Sequence, residues 1–141
     1  MREQVIERIE KEKLIAIVRG VSADQCSKVA NALYAGGVRL MEITYNQKDP
    51  ASWQQTAEAI GALTEEFGGK MLFGAGTVTN VELVELTHAH GGKYIISPDT
   101  NVDVIKRTVE LGMVSLPGAM TPTEVMTAHD AGADFVKLFP A

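Results

Sequence analysis

Cys26-Ser27-Lys28-Val29-Ala30-Asn31-Ala32-Leu33-Tyr34-Ala35-Gly36-Gly37-Val38-Arg39-Leu40-Met41-Glu42-Ile43-Thr44-Tyr45 holds a helix, its stop and a strand in one run. Cys26, Val29, Ala30, Leu33 and Tyr34 fall at i, i+3, i+4, i+7 and i+8, the period of one helix face. Gly36 stands where a left-handed cap residue is wanted, and Arg39–Tyr45 then reads as a short apolar strand. The same unit recurs along the chain. Strands are expected at Leu14–Arg19, Arg39–Tyr45, Lys70–Val78, Tyr94–Ser97, Gly112–Leu116 and Phe135–Phe139. Their starts lie 25, 31, 24, 18 and 23 residues apart, the length of a βα unit. Trp53, Ala57, Ile60, Leu63 and Phe67 form a second helical stripe, and Val102, Ile105 and Val109 a third.

Local punctuation agrees with that division. Gly36, Gly68, Gly91, Gly112 and Gly132 each close a helix just before a strand. Ser22-x-x-Gln25, Thr79-x-x-Glu82 and Thr121-Pro122-x-Glu124 read as capping boxes. An amphipathic helix at about residues 2–12 carries Val5, Ile6 and Ile9. We expect one continuous α/β domain over residues 1–141, with its strands parallel because helical crossovers join them. Such strands build either an open doubly wound sheet or a closed (β/α) barrel, and both put the site at the carboxyl ends of the strands.

Composition narrows the function classes. Thirteen Lys and Arg against 18 Asp and Glu leave a net charge of −5 in 141 residues, with 45% hydrophobic residues. That balance argues against a disordered chain and offers no basic footprint for nucleic acid or an anionic membrane. Apolar runs such as Leu14–Val18 fall far short of the roughly 20 residues a spanning helix needs. Met1–Arg8 is too charged for a signal peptide, and Cys26 has no second cysteine to pair with, so a reducing cytoplasm is the expected compartment.

The strand ends carry the chemistry-bearing residues. Glu42 and Lys137 stand out, because a charge inside an apolar strand is costly to bury unless paired or neutralised. Each could face solvent, or the two could form a structural ion pair. A lysine so placed also has a chemical use: its amine can attack a carbonyl and form a Schiff base, while a nearby carboxyl moves protons. Arg19 offers a guanidinium fork suited to a substrate carboxylate. Gly74-Ala75-Gly76-Thr77 lacks nucleotide-loop spacing and reads instead as a close backbone approach to a small ligand. His88, His90 and His129 are spaced as structural or solvent-facing residues, and no metal site is expected. Trp53 and the six methionines are expected in the core.

Together these stretches resemble the 2-keto-3-deoxy-6-phosphogluconate / 4-hydroxy-2-oxoglutarate (KDPG/KHG) aldolase family. The resemblance rests on Gly36–Thr44, Gly74–Val78, Ile96-Ser97-Pro98, Leu116–Glu124 and Val136–Ala141, in register from about Lys13 onward. It implies a (β/α)8 TIM-barrel fold and a metal-independent class I aldolase without cofactor, usually a homotrimer. Such an enzyme cleaves a small-molecule 2-keto acid to pyruvate plus glyceraldehyde 3-phosphate or glyoxylate. On that resemblance Lys137 aligns with the Schiff-base lysine and Glu42 with the proton-transferring glutamate. Thr77, Pro98 and Phe139 match positions lining the pyruvyl pocket, and Arg19 an arginine that binds carboxylate.

Two departures accompany it. Many members carry an arginine shortly after the glutamate, where this chain reads Tyr45-Asn46-Gln47, and Pro50 after Asp49 signals a different loop. Only about six of the eight βα units are found, and nothing matches the glycine-rich phosphate loops expected after strands seven and eight. The chain therefore reads as a partial barrel, C-terminally truncated, whose open edges call for a partner. The alternative to an aldolase is an inactive fragment or oligomerising remnant. Another phosphate-binding barrel enzyme, such as an isomerase or epimerase, fits less well with a lysine inside the sixth strand.

Overall fold

All six apolar runs form strand. The computed structural model describes residues 1–141 and runs α1 (Arg2–Glu12), β1 (Ala16–Val18), α2 (Ala23–Ala35), β2 (Leu40–Thr44), α3 (Trp53–Phe67), β3 (Leu72–Gly76), α4 (Val81–Ala89), β4 (Tyr94–Ile96), α5 (Val102–Glu110), β5 (Val114–Leu116), β6 (Gly118–Ala119), α6 (Pro122–Asp130) and β7 (Lys137–Leu138). A 3-10 turn at Pro50–Ser52 leads into α3. The strands β1 to β5 form one parallel sheet in chain order, and β6 pairs with β7 in a second parallel ladder. Pro117 separates β5 from β6, where a missing N–H interrupts the ladder.

Strand order and burial decide between the two architectures left open by the sequence. The order contains no reversal, so there is no doubly wound switch point. Residues aligned on one face (Met41 with Phe73, Ile43 with Ala75, Ala75 with Ile95) pack into one core with Ala30, Ile60, Leu63, Leu83 and Val104 from the helices. The other face carries Leu40, Tyr94, Ile96, Val114 and Leu116, which pack with Val5 and Ile9 of α1. Helices outside, α1 against the inner layer: this is the wall of a (β/α) barrel. Ile17 on the inner face is 59% exposed, and Leu138 on β7 is 68% exposed.

The α1 helix also ties down the last strand. Arg2 donates from Nη2 to Asp134 Oδ1 at 2.7 Å and from Nε to Asp134 Oδ2 at 3.3 Å. Asp134 Oδ2 in turn accepts the Ser115 N–H of β5 at 2.9 Å. Lys137 N–H donates to the Pro117 carbonyl at 2.9 Å, so β7 is fixed on both sides of its turn. Asp134→Ala removes charge-assisted bonds at a side chain only 7% exposed, and thermal melts should show a loss of roughly 2–3 kcal/mol. A loss below 0.5 kcal/mol would mean the tether is idle.

Several local expectations are corrected. The N-cap of α4 is Asn80, whose side chain accepts from Leu83 N–H, and not Thr79 one residue earlier. Ser22 precedes α2 but makes no capping bond, whereas Thr121 and Glu124 form the full capping box with Pro122 in the first turn. At the end of α2 it is Gly37 (φ 97°) that takes the left-handed conformation, while Gly36 stays helical. Met41, Met71 and Met113 are core residues, but Met1, Met120 and Met126 are exposed, and Trp53 sits half-buried at the core's edge. The strands are shorter than the apolar runs, although backbone bonds such as Tyr45 N–H to the Gly76 carbonyl and Ser97 N–H to the Leu116 carbonyl continue past their ends.

Candidate active site

Glu42 lies midway along β2 with its side chain on the inner face, level with Ile17 on β1 and Gly74 on β3. It is 2% exposed, and its Oε2 has no hydrogen-bond partner in the chain. Room for it comes from β3. A Cβ at Gly76 would stand 2.7 Å from Glu42 Oε2 and 2.9 Å from its Cδ. Beneath it, the Tyr94 ring lies across Gly74, and its hydroxyl donates to the Met41 carbonyl at 2.7 Å and the Leu72 carbonyl at 3.2 Å. Gly74 and Gly76 were expected to admit a ligand; they admit two side chains of the same chain.

Two cations reach this carboxyl electrostatically. Burial pushes the Glu42 carboxyl above its ordinary value, and Lys137 and Arg19 pull it part of the way back. None of the protein's ion pairs, at up to 4.0 Å, joins the three. So Glu42 is neither solvent-facing nor a structural ion pair. Because its folded-state pKa is raised, the folded chain keeps a proton that the unfolded chain releases above about pH 4.5. Folding stability should therefore fall as pH rises from there through the folded-state value. Below that window both states are protonated and the effect vanishes. Glu42→Gln should flatten the melting temperature across the same range; an unchanged slope would place the titration elsewhere.

Lys137 is half-buried, paired through Gly118, with its Nζ 4.4 Å from the centroid of the Phe139 ring. A Cβ on Gly118 would collide with the Pro98 backbone carbonyl, so the end of β4 lies directly behind the lysine strand. Arg19 is exposed beyond β1 and lines a cavity of about 360 Å³ that also takes in Thr44, Gln47 and Thr77. Thr77, just past β3, holds a left-handed backbone (φ 58°), a strained state for a branched residue and a frequent mark of functional sites. Its carbonyl accepts the Gln47 side-chain N–H at 2.7 Å, and Gln47 Oε1 accepts from Thr79 at 2.9 Å. Lys137 and Arg19 thus act electrostatically on Glu42, Phe139 lies against Lys137, Thr77 shares the cavity of Arg19, and Pro98 backs Gly118 beside the lysine strand.

Sequence reasoning missed the role of Tyr94, which had a signal, since a tyrosine within an apolar strand needs a hydroxyl partner. The loop after β2 was marked as a departure at Tyr45-Asn46-Gln47 and Pro50, but the Gln47 contacts to Thr77 and Thr79 were not foreseen. The histidines lie apart: His88 and His129 are exposed, and His90 approaches the Leu86 carbonyl through Nδ1. No group of three or more His, Cys, Asp or Glu converges as a metal cradle.

The family model for KDPG and KHG aldolases matches residues 5–141. The chain belongs to this aldolase family. The 2-dehydro-3-deoxy-6-phosphogalactonate aldolase of Escherichia coli (strain K12) is 37% identical over 131 residues, which cover 93% of this chain and 61% of that protein. The native KDPGal structure superposes with a TM-score of 0.80 at 36% identity, over 90% of this chain and 59% of that one. The Legionella pneumophila KDPG aldolase, with pyruvate captured as a covalent carbinolamine, gives a TM-score of 0.78 at 25% identity, over 90% and 58%. This aldolase-family chain therefore spans about three-fifths of the length of the relatives it matches.

Proposed function

We propose that the chain carries the Schiff-base half-site of a metal-independent class I aldolase acting on a 2-keto-3-deoxy-6-phospho sugar acid or 4-hydroxy-2-oxoglutarate. One observation carries the reading: a buried, unpartnered carboxyl, Glu42, held in the field of a strand lysine and an arginine. The Legionella relative's covalent carbinolamine with pyruvate supports it.

The Lys137 amine adds to the C2 ketone, and loss of water leaves an iminium ion. The C3–C4 bond then breaks, its electron pair entering the iminium to give an enamine. Glu42 accepts the proton of the C4 hydroxyl as the aldehyde departs. The enamine takes a proton at C3, and water releases pyruvate and the free lysine. Arg19 holds the carboxylate, while Thr77, Phe139 and Pro98 line the pyruvyl pocket. The fold is read as one domain over residues 1–141, working in the cytoplasm as part of a homotrimer. No helix is long and apolar enough to cross a membrane.

A lactate dehydrogenase-coupled assay for pyruvate tests the reading, with 2-keto-3-deoxy-6-phosphogluconate and its C4 epimer, the galactonate, as substrates. Glu42→Gln should lower kcat by about 10²- to 10⁴-fold while pyruvate still attaches to Lys137. Full turnover in that variant would remove Glu42 from proton transfer.

A further inference from the structure

The buried Glu42 side chain keeps its place without a hydrogen bond to Oε2, so the backbone beneath it and the packing around it decide where that oxygen sits. Both trace to one residue. Tyr94 starts on β4, and its ring crosses β3 at Gly74, the residue in register with Glu42 and free of any side chain. The hydroxyl ends at β2, where it donates to the Met41 carbonyl at 2.7 Å, with the Leu72 carbonyl of β3 3.2 Å away. The Met41 carbonyl shares its peptide plane with the Glu42 N–H. One side chain thus spans three strands and grips the peptide from which the carboxyl hangs.

The grip is stiff. Tyr94 is fully buried and packs in one cluster with Val5 and Ile9 of α1, Leu40 of β2 and Val114 of β5. Burial first, and the charge of Glu42 second, hold its phenol well above the ordinary value, so the hydroxyl stays a donor at neutral pH. The sheet does not depend on that donor, because β2 and β3 pair from Leu40 to Thr44 through their own backbones. A phenylalanine at the same place would fill the space over Gly74 and leave the Met41 peptide unanchored.

We propose that Tyr94 is a positioning residue for Glu42: its hydroxyl, tied to the Met41 carbonyl, and its ring, laid across Gly74, hold the Glu42 carboxyl in its buried place on the inner face. The benefit to proton transfer rests on the aldolase reading; the hold on the carboxyl does not.

Carbon-13 NMR of the 141-residue protein separates the two. The Glu42 Cδ signal, assigned by its loss in Glu42→Gln, and the Tyr94 Cζ signal are followed through one pH titration, and in the parent chain both should report the same midpoint. Tyr94→Phe should lower the Glu42 midpoint toward the ordinary 4.5, because a loosened carboxyl turns toward water; Lys137 of β7 and Arg19 beyond β1, the cations acting on it, are unaltered in that variant. Its kcat for pyruvate release should drop about 10- to 100-fold with KM nearly unchanged, since a misplaced group costs rate and not binding. Thr108→Val removes an equally buried hydroxyl, bonded to the Val104 carbonyl inside α5, and should move neither reading. A Tyr94 signal blind to the Glu42 titration, an unmoved midpoint or kcat in Tyr94→Phe, or an equal shift in Thr108→Val would each overturn the proposal. Failure of the aldolase reading shows separately, as a parent chain that forms no borohydride-fixed adduct with pyruvate.

Discussion

Replacing Lys137 with alanine abolishes the adduct that borohydride fixes between pyruvate and the protein. The reduced imine adds mass to a single residue, so intact and peptide mass spectrometry read the outcome directly. Pyruvate release from the phosphorylated keto acid should fall by at least about 10⁴-fold, because the iminium that serves as the electron sink then cannot form at that position. The fold should survive. β7 is held by backbone bonds to Pro117 and Ala119 and by the Arg2–Asp134 tether, none of which uses the lysine side chain. What is lost is the contact of Nζ with the Phe139 ring, about 0.5–1 kcal/mol. A melting curve close to that of the parent chain would show that the lost adduct is chemical in origin. An adduct that persists in the alanine variant would move the nucleophile to another amine and dismantle the assignment.

The largest effect on stability is expected at Gly74. A methyl group there would overlap the Tyr94 ring and stand 2.5 Å from the Tyr94 carbonyl oxygen. The ring cannot retreat, since Tyr94 is fully buried and its hydroxyl is fixed to carbonyls on β2 and β3. Overpacking of this kind costs about 1–3 kcal/mol, and displacing the hydroxyl adds about 1 kcal/mol for each bond broken. Gly74→Ala should therefore cost roughly 3 kcal/mol, near 10 °C in melting temperature for a chain of this size. The ring's share can be isolated: in a Tyr94→Leu background the overlap with the ring goes while the contact with the residue-94 carbonyl stays, a coupling that a double-mutant cycle measures. Additive costs would locate the strain in that backbone contact instead.

How much of this was legible in the sequence follows from which interactions are local. Helix stripes and strand runs reflect periodicities that every residue carries, so all six apolar runs and the helix at residues 2–12 could be read directly. Caps failed where two suitable residues adjoin: Thr79 with Asn80, Gly36 with Gly37. Either member satisfies the local rule, and the tertiary path of the chain selects one. Glu42 and Lys137 were visible because a charge within an apolar strand is conspicuous. That the two share a field was an expectation from their chemistry alone, since their separation depends on register and on how β6 pairs with β7.

The bond between Arg2 and Asp134 joins residues 132 positions apart and sits three residues before the candidate nucleophile. Whatever is attached to the amino terminus therefore sits one residue from the anchor of the segment that leads into β7. An affinity tag fused ahead of Met1 crowds that anchor rather than a spare end. Preparations that differ only in that handle should differ in how firmly the lysine is seated.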